Sequence, residues 1–206
     1  VVLNLGRRPE GFDPYEHEPA SEARAVDGYF GGPTDVGWDA EGNIYVSDGY
    51  INSRVGKMDK WGNWLKSWGS YGRGPDQLRL PHNLQVDRQG HVYVADRSNR
   101  RIQKFTSEGV FVNKWGTEGT DDGQFEYTAG VSVASDGSVY VADTQNHRIQ
   151  KFTSEGVFVI KWGTNGTGDG EFGQSYEVAV APDGSVYVAD GGNDRIQKFT
   201  SEGVFV

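Results

Sequence analysis

The sequence predicts an all-β chain assembled from four repeats of a four-stranded antiparallel unit. A twelve-residue segment, RIQKFTSEGVFV, occurs at Arg101–Val112, Arg148–Val159 and Arg195–Val206, always 47 residues apart. The chain also holds 30 Gly and 13% aromatic residues, a composition that suits short strands joined by tight turns. Third, no stretch sustains a helical period, whereas runs of four to six β-branched and aromatic residues recur between Gly, Asp, Ser and Asn.

One unit shows the elements in order. LQVD ends a first strand at the turn RQG, HVYVAD gives a second, RIQKF a third, and VFVNKW a fourth. Gly42, Gly90, Gly137 and Gly184 mark the first turn of successive units, and Trp68, Trp115 and Trp162, each followed by Gly, mark the fourth strand. A signature lies between the second and third strands: Asp48, Asp96, Asp143 and Asp190, then Asn52, Asn99, Asn146 and Asn193, then Arg54, Arg101, Arg148 and Arg195. Four copies argue for architecture, with these residues bonding strand ends and turns, because a catalytic group has no need of repetition. A four-stranded sheet of this size cannot bury both faces alone, and a period of about 40–50 residues matches the blades of a β-propeller packed face to face around an axis. The WG tryptophans then pack between blades. The expected organisation is a blade-closing outer strand over 1–6, an irregular insertion or cap over 7–32, and four blades over 33–80, 81–127, 128–174 and 175–206, the last incomplete.

Charge excludes some partners. A formal net charge of −9 and a pI near 4.9 would repel a phosphate backbone, so no nucleic acid is expected. Without Cys there is no disulfide framework, and the redox compartment stays open. No run of about 18 apolar residues exists, and Val1–Leu5 is too short for a signal peptide. The expectation is a soluble chain with no membrane segment.

The pattern VYVAD-x-x-N-x-RIQKF, which Asn146-His147-Arg148-Ile149 fits closely, resembles the NHL repeat. Within the first two units, PTDV (Pro33–Val36), VSDGYINSR (Val46–Arg54), LPHNL (Leu80–Leu84) and VADRSNRRIQ (Val94–Gln103) resemble two consecutive blades of the peptidyl-hydroxyglycine amidating lyases. That resemblance implies a secreted or periplasmic setting. It also implies an enzyme that splits a hydroxyglycine-extended peptide into a peptide amide and glyoxylate. In that reading His82 is a zinc ligand, Tyr50 is the catalytic tyrosine, and Arg97 orients the substrate carboxylate. Zinc would act as Lewis acid, with a base for the carbinol proton and an arginine fork on the carboxylate.

The residues depart from that pattern. The family takes three histidines, yet the positions equivalent to His82 are Thr34, Ala129 and Tyr176, and Ile51 stands where the family has a half-cystine. One histidine of three does not hold zinc against water. His91 begins a strand, His147 lies in the signature loop, and His17 falls in the insertion, so none of them repairs the set. Acidic loops at Thr120–Gly123 and Gly166–Gly170 offer carboxylates and carbonyls to calcium but lack the spacing of a known loop.

The residues therefore read as a binding or structural scaffold without catalysis, taking a protein or peptide ligand on a ring face or in the channel. The lyase, or a fragment of one, stays open as the alternative. Both ends read as half-blades, which leaves three closures: a four-bladed ring, two chains joined into an eight-bladed ring by self-association, or part of a larger propeller. The insertion reads as a lid or an inert loop, with Phe12, Tyr15 and Phe30 as anchors.

Overall fold

The computed structural model describes residues 26–206. The strand expected over 1–6 and the insertion over 7–25, with Phe12, Tyr15 and His17, lie outside the described residues.

The alternating runs form the expected sheets. β1 (Pro33–Trp38), β2 (Ile44–Asp48), β3 (Arg54–Met58) and β4 (Trp64–Trp68) pair antiparallel in chain order. A short parallel pair, β5 (Ser70–Tyr71) and β6 (Gln77–Leu78), folds the connection toward the next blade. The second blade is β7 (Pro81–Val86), β8 (Val92–Asp96), β9 (Arg101–Phe105) and β10 (Phe111–Trp115). The third is β11 (Thr128–Val133), β12 (Val139–Asp143), β13 (Arg148–Phe152) and β14 (Phe158–Trp162). In the fourth, β15 (Ser175–Val180), β16 (Val186–Asp190) and β17 (Arg195–Phe199) are followed by a bridge from Phe199 to Phe205, where a fourth strand would begin.

Each sheet is too thin to hold a core, so the core lies between blades. Tyr45 and Val55 of the first blade are buried against Leu84, Val92 and Phe105 of the second. Tyr93 and Ile102 repeat this against Val131, Val139 and Phe152, and Tyr140 and Ile149 against Val178, Val186 and Phe199. Trp68, Trp115 and Trp162 lie 6.2, 6.0 and 5.9 Å from Phe105, Phe152 and Phe199 of the following blade. Those rings rest on the hairpin glycines, so that a Cβ on Gly156 would stand 2.6 Å from Trp115. Lysines add polar ties: Lys57, Lys104 and Lys151 donate to the carbonyls of Ser107, Ser154 and Ser201.

The inner strands β1, β7, β11 and β15 pack in succession, whereas among the described residues β15 makes no comparable contact with β1. One face at each end of the series is therefore uncovered by a neighbouring blade. Tyr187 is 38% and Ile196 66% exposed, where the corresponding Tyr140 and Ile149 are at most 1% exposed.

Candidate functional site

The signature residues tie each blade to the connection entering it. Asp48, Asp96, Asp143 and Asp190 are buried, and each accepts from its arginine Nε at 3.2, 2.7, 2.8 and 2.9 Å. Asn52, Asn99, Asn146 and Asn193 donate to the same four carboxylates. The rest of the guanidinium reaches upstream carbonyls: Arg101 donates to Arg73, Gly74 and Gln77, and Arg148 to Thr120, Asp121 and Gln124. Arg195 bonds Gly168 and Glu171, and Arg54 bonds Val26 and Tyr29. The acidic loops considered for calcium thus turn carbonyls toward arginine, and Asp122 pairs with Lys161 at 2.6 Å.

A different set converges at the channel mouth. Every inner strand carries a β-bulge, and the extra residue is Thr34, His82, Ala129 or Tyr176. A bulge adds one unpaired residue and re-aims its side chain, so the column compared in the sequence is set apart from the pleat. Thr34 Oγ1 donates to the carbonyl of Pro81, and His82 Nδ1 lies 3.0 Å from that of Ala129, each bridging to the next blade. Tyr50 stands in a loop one residue longer than its sisters, with its ring centroid 6.5 Å from that of His82. Gly49 permits this approach, since a Cβ there would lie 2.0 Å from the Pro81 carbonyl oxygen. The Arg97 guanidinium lies 3.9 Å from the Tyr127 ring centroid, and its Nε is buried without a partner. The His82 ring links Tyr50 with Arg97, facing the one and feeling the charge of the other. His91, by contrast, bonds Asp87, and His147 bonds the Gly173 carbonyl; both stand in turns apart from this group.

Burial, with the Arg97 charge, holds the His82 imidazole below its ordinary range, against the Ala129 bond and the Asp35 charge. A neutral ring whose Nδ1–H donates to a carbonyl keeps its Nε2 lone pair. That is the tautomer of a metal ligand, but the remaining ligands do not follow: among the described residues no three His, Cys, Asp or Glu side chains are grouped to hold a metal. The described residues do not fit a zinc site.

Deeper in the channel lies a cluster that sequence reasoning missed. Asn83 Nδ2 donates to Asp35 Oδ2 at 2.8 Å and to Glu177 Oε2 at 2.9 Å, while its Oδ1 accepts from Val131 N–H. Burial raises Asp35, and burial with the Asp35 charge pushes Glu177 up to about 8. Gly130 occupies the same column and makes room, since a Cβ there would stand 2.7 Å from Glu177 Oε1. Asp35, Asn83 and Glu177 line a cavity of about 280 Å³. The available signal was variation: the aligned positions Asp35, Asn83, Gly130 and Glu177 hold four different residues, whereas the Asp–Asn–Arg signature is kept in every unit.

Blades of four antiparallel strands, joined by a repeated Asp–Asn–Arg cluster, define a β-propeller chain that carries NHL repeats. The NHL repeat matches residues 78–105, 125–152 and 178–199. Among curated relatives, peptidyl-glycine alpha-amidating monooxygenase B of Xenopus laevis is 38% identical over 88 residues, spanning 40% of this chain and 10% of that protein. A probable peptidyl-alpha-hydroxyglycine alpha-amidating lyase of Caenorhabditis elegans is 37% identical over 75 residues, 35% of this chain and 21% of the relative. NHL repeat-containing protein 3 of Homo sapiens is 33% identical over 75 residues, with shares of 34% and 21%. The matched stretches are thus between a tenth and a fifth of these relatives. Among solved structures, a streptogramin B lyase has a TM-score of 0.66 at 16% identity, covering 85% of this chain and 53% of that one. Hydrazine synthase of Kuenenia stuttgartiensis has 0.66 at 11%, with coverage of 91% and 51%. At such identities the likeness shows the fold.

Proposed function

We propose that this chain is a binding scaffold that takes a peptide, through a carboxylate, at the channel mouth formed by its first two blades. The observation that carries this reading is Arg97, held over Tyr127 with an unpartnered Nε and near His82, whose ring faces the exposed Tyr50. A guanidinium fixed by an aromatic face is preorganised to receive a carboxylate through paired hydrogen bonds. The Asp35–Asn83–Glu177 cluster below it offers acceptors and a carboxyl group to the backbone N–H groups of an entering chain. Fluorescence anisotropy of labelled peptides ending in a free carboxylate or an amide tests the idea. The carboxylate form should bind more tightly, and Arg97→Ala should remove the preference; equal binding of both peptides by the native chain would sink it.

A zinc-dependent amidating lyase, or a fragment of one, is the second reading, favoured by the free Nε2 of His82 beside Tyr50 and Arg97. It requires zinc that is lost in His82→Ala, together with glyoxylate release from a hydroxyglycine peptide. Finding both would replace the scaffold reading.

The exposed face of the fourth blade supports self-association as a further partner. Its Tyr187 and Ile196 repeat the positions that bury Tyr140 and Ile149, and the first blade offers Val36 and Trp38 where later blades present Leu84 and Val86. Two chains meeting head to tail at both ends would close an eight-bladed ring.

A further inference from the structure

The near-identical blades serve as internal controls, and one cleft on the second blade departs from its sisters. It encloses about 530 Å³ where the 3-10 turn Arg97–Asn99 meets the end of β10. Arg73, Arg100 and Lys114 line it. In the third blade the corresponding residues are Thr120, His147 and Lys161, and in the fourth Thr167 and Asp194 stand at the first two positions. Lys161 is neutralised by Asp122 at 2.6 Å. The second blade has Pro75 at the position of that aspartate, and Lys114 has no acidic partner among the described residues. Arg101 also lines the cleft, but its guanidinium is committed to Asp96 and to carbonyls of the upstream loop.

Three cationic side chains thus face one cavity in a chain whose net charge is −9. The one acidic residue of the lining, Glu118, is 66% exposed and reaches Arg100 at 3.4 Å, an arrangement water screens. The same lining holds two buried polar atoms without partners that have no counterpart in the sister blades: Arg100 Nε, a donor, and Asn99 Oδ1, an acceptor; Trp115 Nε1 is also unpartnered, but so are Trp68 and Trp162 Nε1. A buried arginine donor left unmet is costly, because it belongs to a charged group, and an anion entering from outside the chain would satisfy it.

We infer that this cleft binds a tetrahedral oxyanion, the phosphate or sulfate group of a small ligand. Arg73, Arg100 and Lys114 supply the charge, and the unmet Arg100 Nε–H supplies a directed bond. Asn99 Oδ1 favours an anion that keeps a hydroxyl, which inorganic phosphate does at neutral pH and sulfate does not. The site shares no lining residue with the mouth at Tyr50, His82 and Arg97, so it stands apart from the proposed peptide site.

The test is calorimetric titration of the intact chain with inorganic phosphate and, separately, with sulfate, in dilute chloride buffer. The double variant Arg73→Thr, Arg100→His installs the third blade's residues, and His147 already adopts at φ 53° the left-handed backbone that Arg100 has at 53°. Folding is therefore preserved, which thermal melting checks. Saturable binding with phosphate tighter than sulfate, weakened at least tenfold in the variant, is the expected result. Sulfate binding more tightly would overturn the role given to Asn99. Absence of saturation by either anion, or equal binding by the double variant, would overturn the site itself, whatever the outcome at the channel mouth.

Discussion

Glu177 shows how much a single residue can depend on its column. It reaches Asn83 two blades away because Gly130 leaves the space open, and the reach brings its carboxyl near Asp35. Its ionisation, ordinarily at 4.5, moves up to about 8, first through burial and then through the Asp35 charge. A carboxyl whose folded value is raised binds its proton more tightly in the fold than in the unfolded chain, so the stability it contributes is present below the unfolded value and lost as pH rises through the folded one. Thermal melts between about pH 5 and pH 9 should show the native chain losing stability as this group ionises. Glu177→Gln should flatten that segment of the profile. Parallel profiles for the two proteins would show that Glu177 does not carry the effect.

Between elements, the arginine clamp decides whether a connection and its blade move together. Arg148 satisfies the buried carboxylate of Asp143 and three upstream carbonyls at once. Removing one partner of a buried ion pair costs about 3–5 kcal/mol, because the other charge stays buried. Chemical denaturation of Arg148→Ala should fall in that range. Arg195→Ala should lose less, since that side chain is 27% exposed against 8% for Arg148. Equal losses at the two sites would mean that exposure at the end blade does not weaken the clamp. The bulges act at the same scale. Each sets Thr34, His82, Ala129 or Tyr176 beside the channel, and no residue type announces a bulge here, since Pro, Thr and Ser all precede these positions. The channel column could be aligned from the sequence, but the reason it lines the mouth lay in strand pairing.

At the scale of the whole molecule, the series of four blades leaves apolar faces that the interior blades keep covered. Val36 is 49% and Trp38 67% exposed on the first blade, and Ile196 is 66% exposed on the fourth. Apolar residues exposed on a blade face, at positions the interior blades bury, mark an interaction surface or an aggregation hazard. Native mass spectrometry over a concentration series should detect a dimer that Ile196→Glu converts to monomer. A native chain that stays monomeric throughout would rule out the eight-bladed ring.

The sequence by itself determined the blades: their period, strand order, hairpin glycines and Asp–Asn–Arg signature, all written in local spacing and repeated until chance is excluded. NHL character was legible for the same reason, because a repeat states its pattern several times. Only the tertiary structure decided what stands across the channel. The Asn83 bridge from Asp35 to Glu177, the stacking of Arg97 on Tyr127 and the basic cleft around Arg100 join residues distant in sequence or give neighbours a shared cavity. Local periodicity fixes which way a strand's side chains alternate. It holds no information on which side chains meet once curvature and bulges have brought separate blades around one axis.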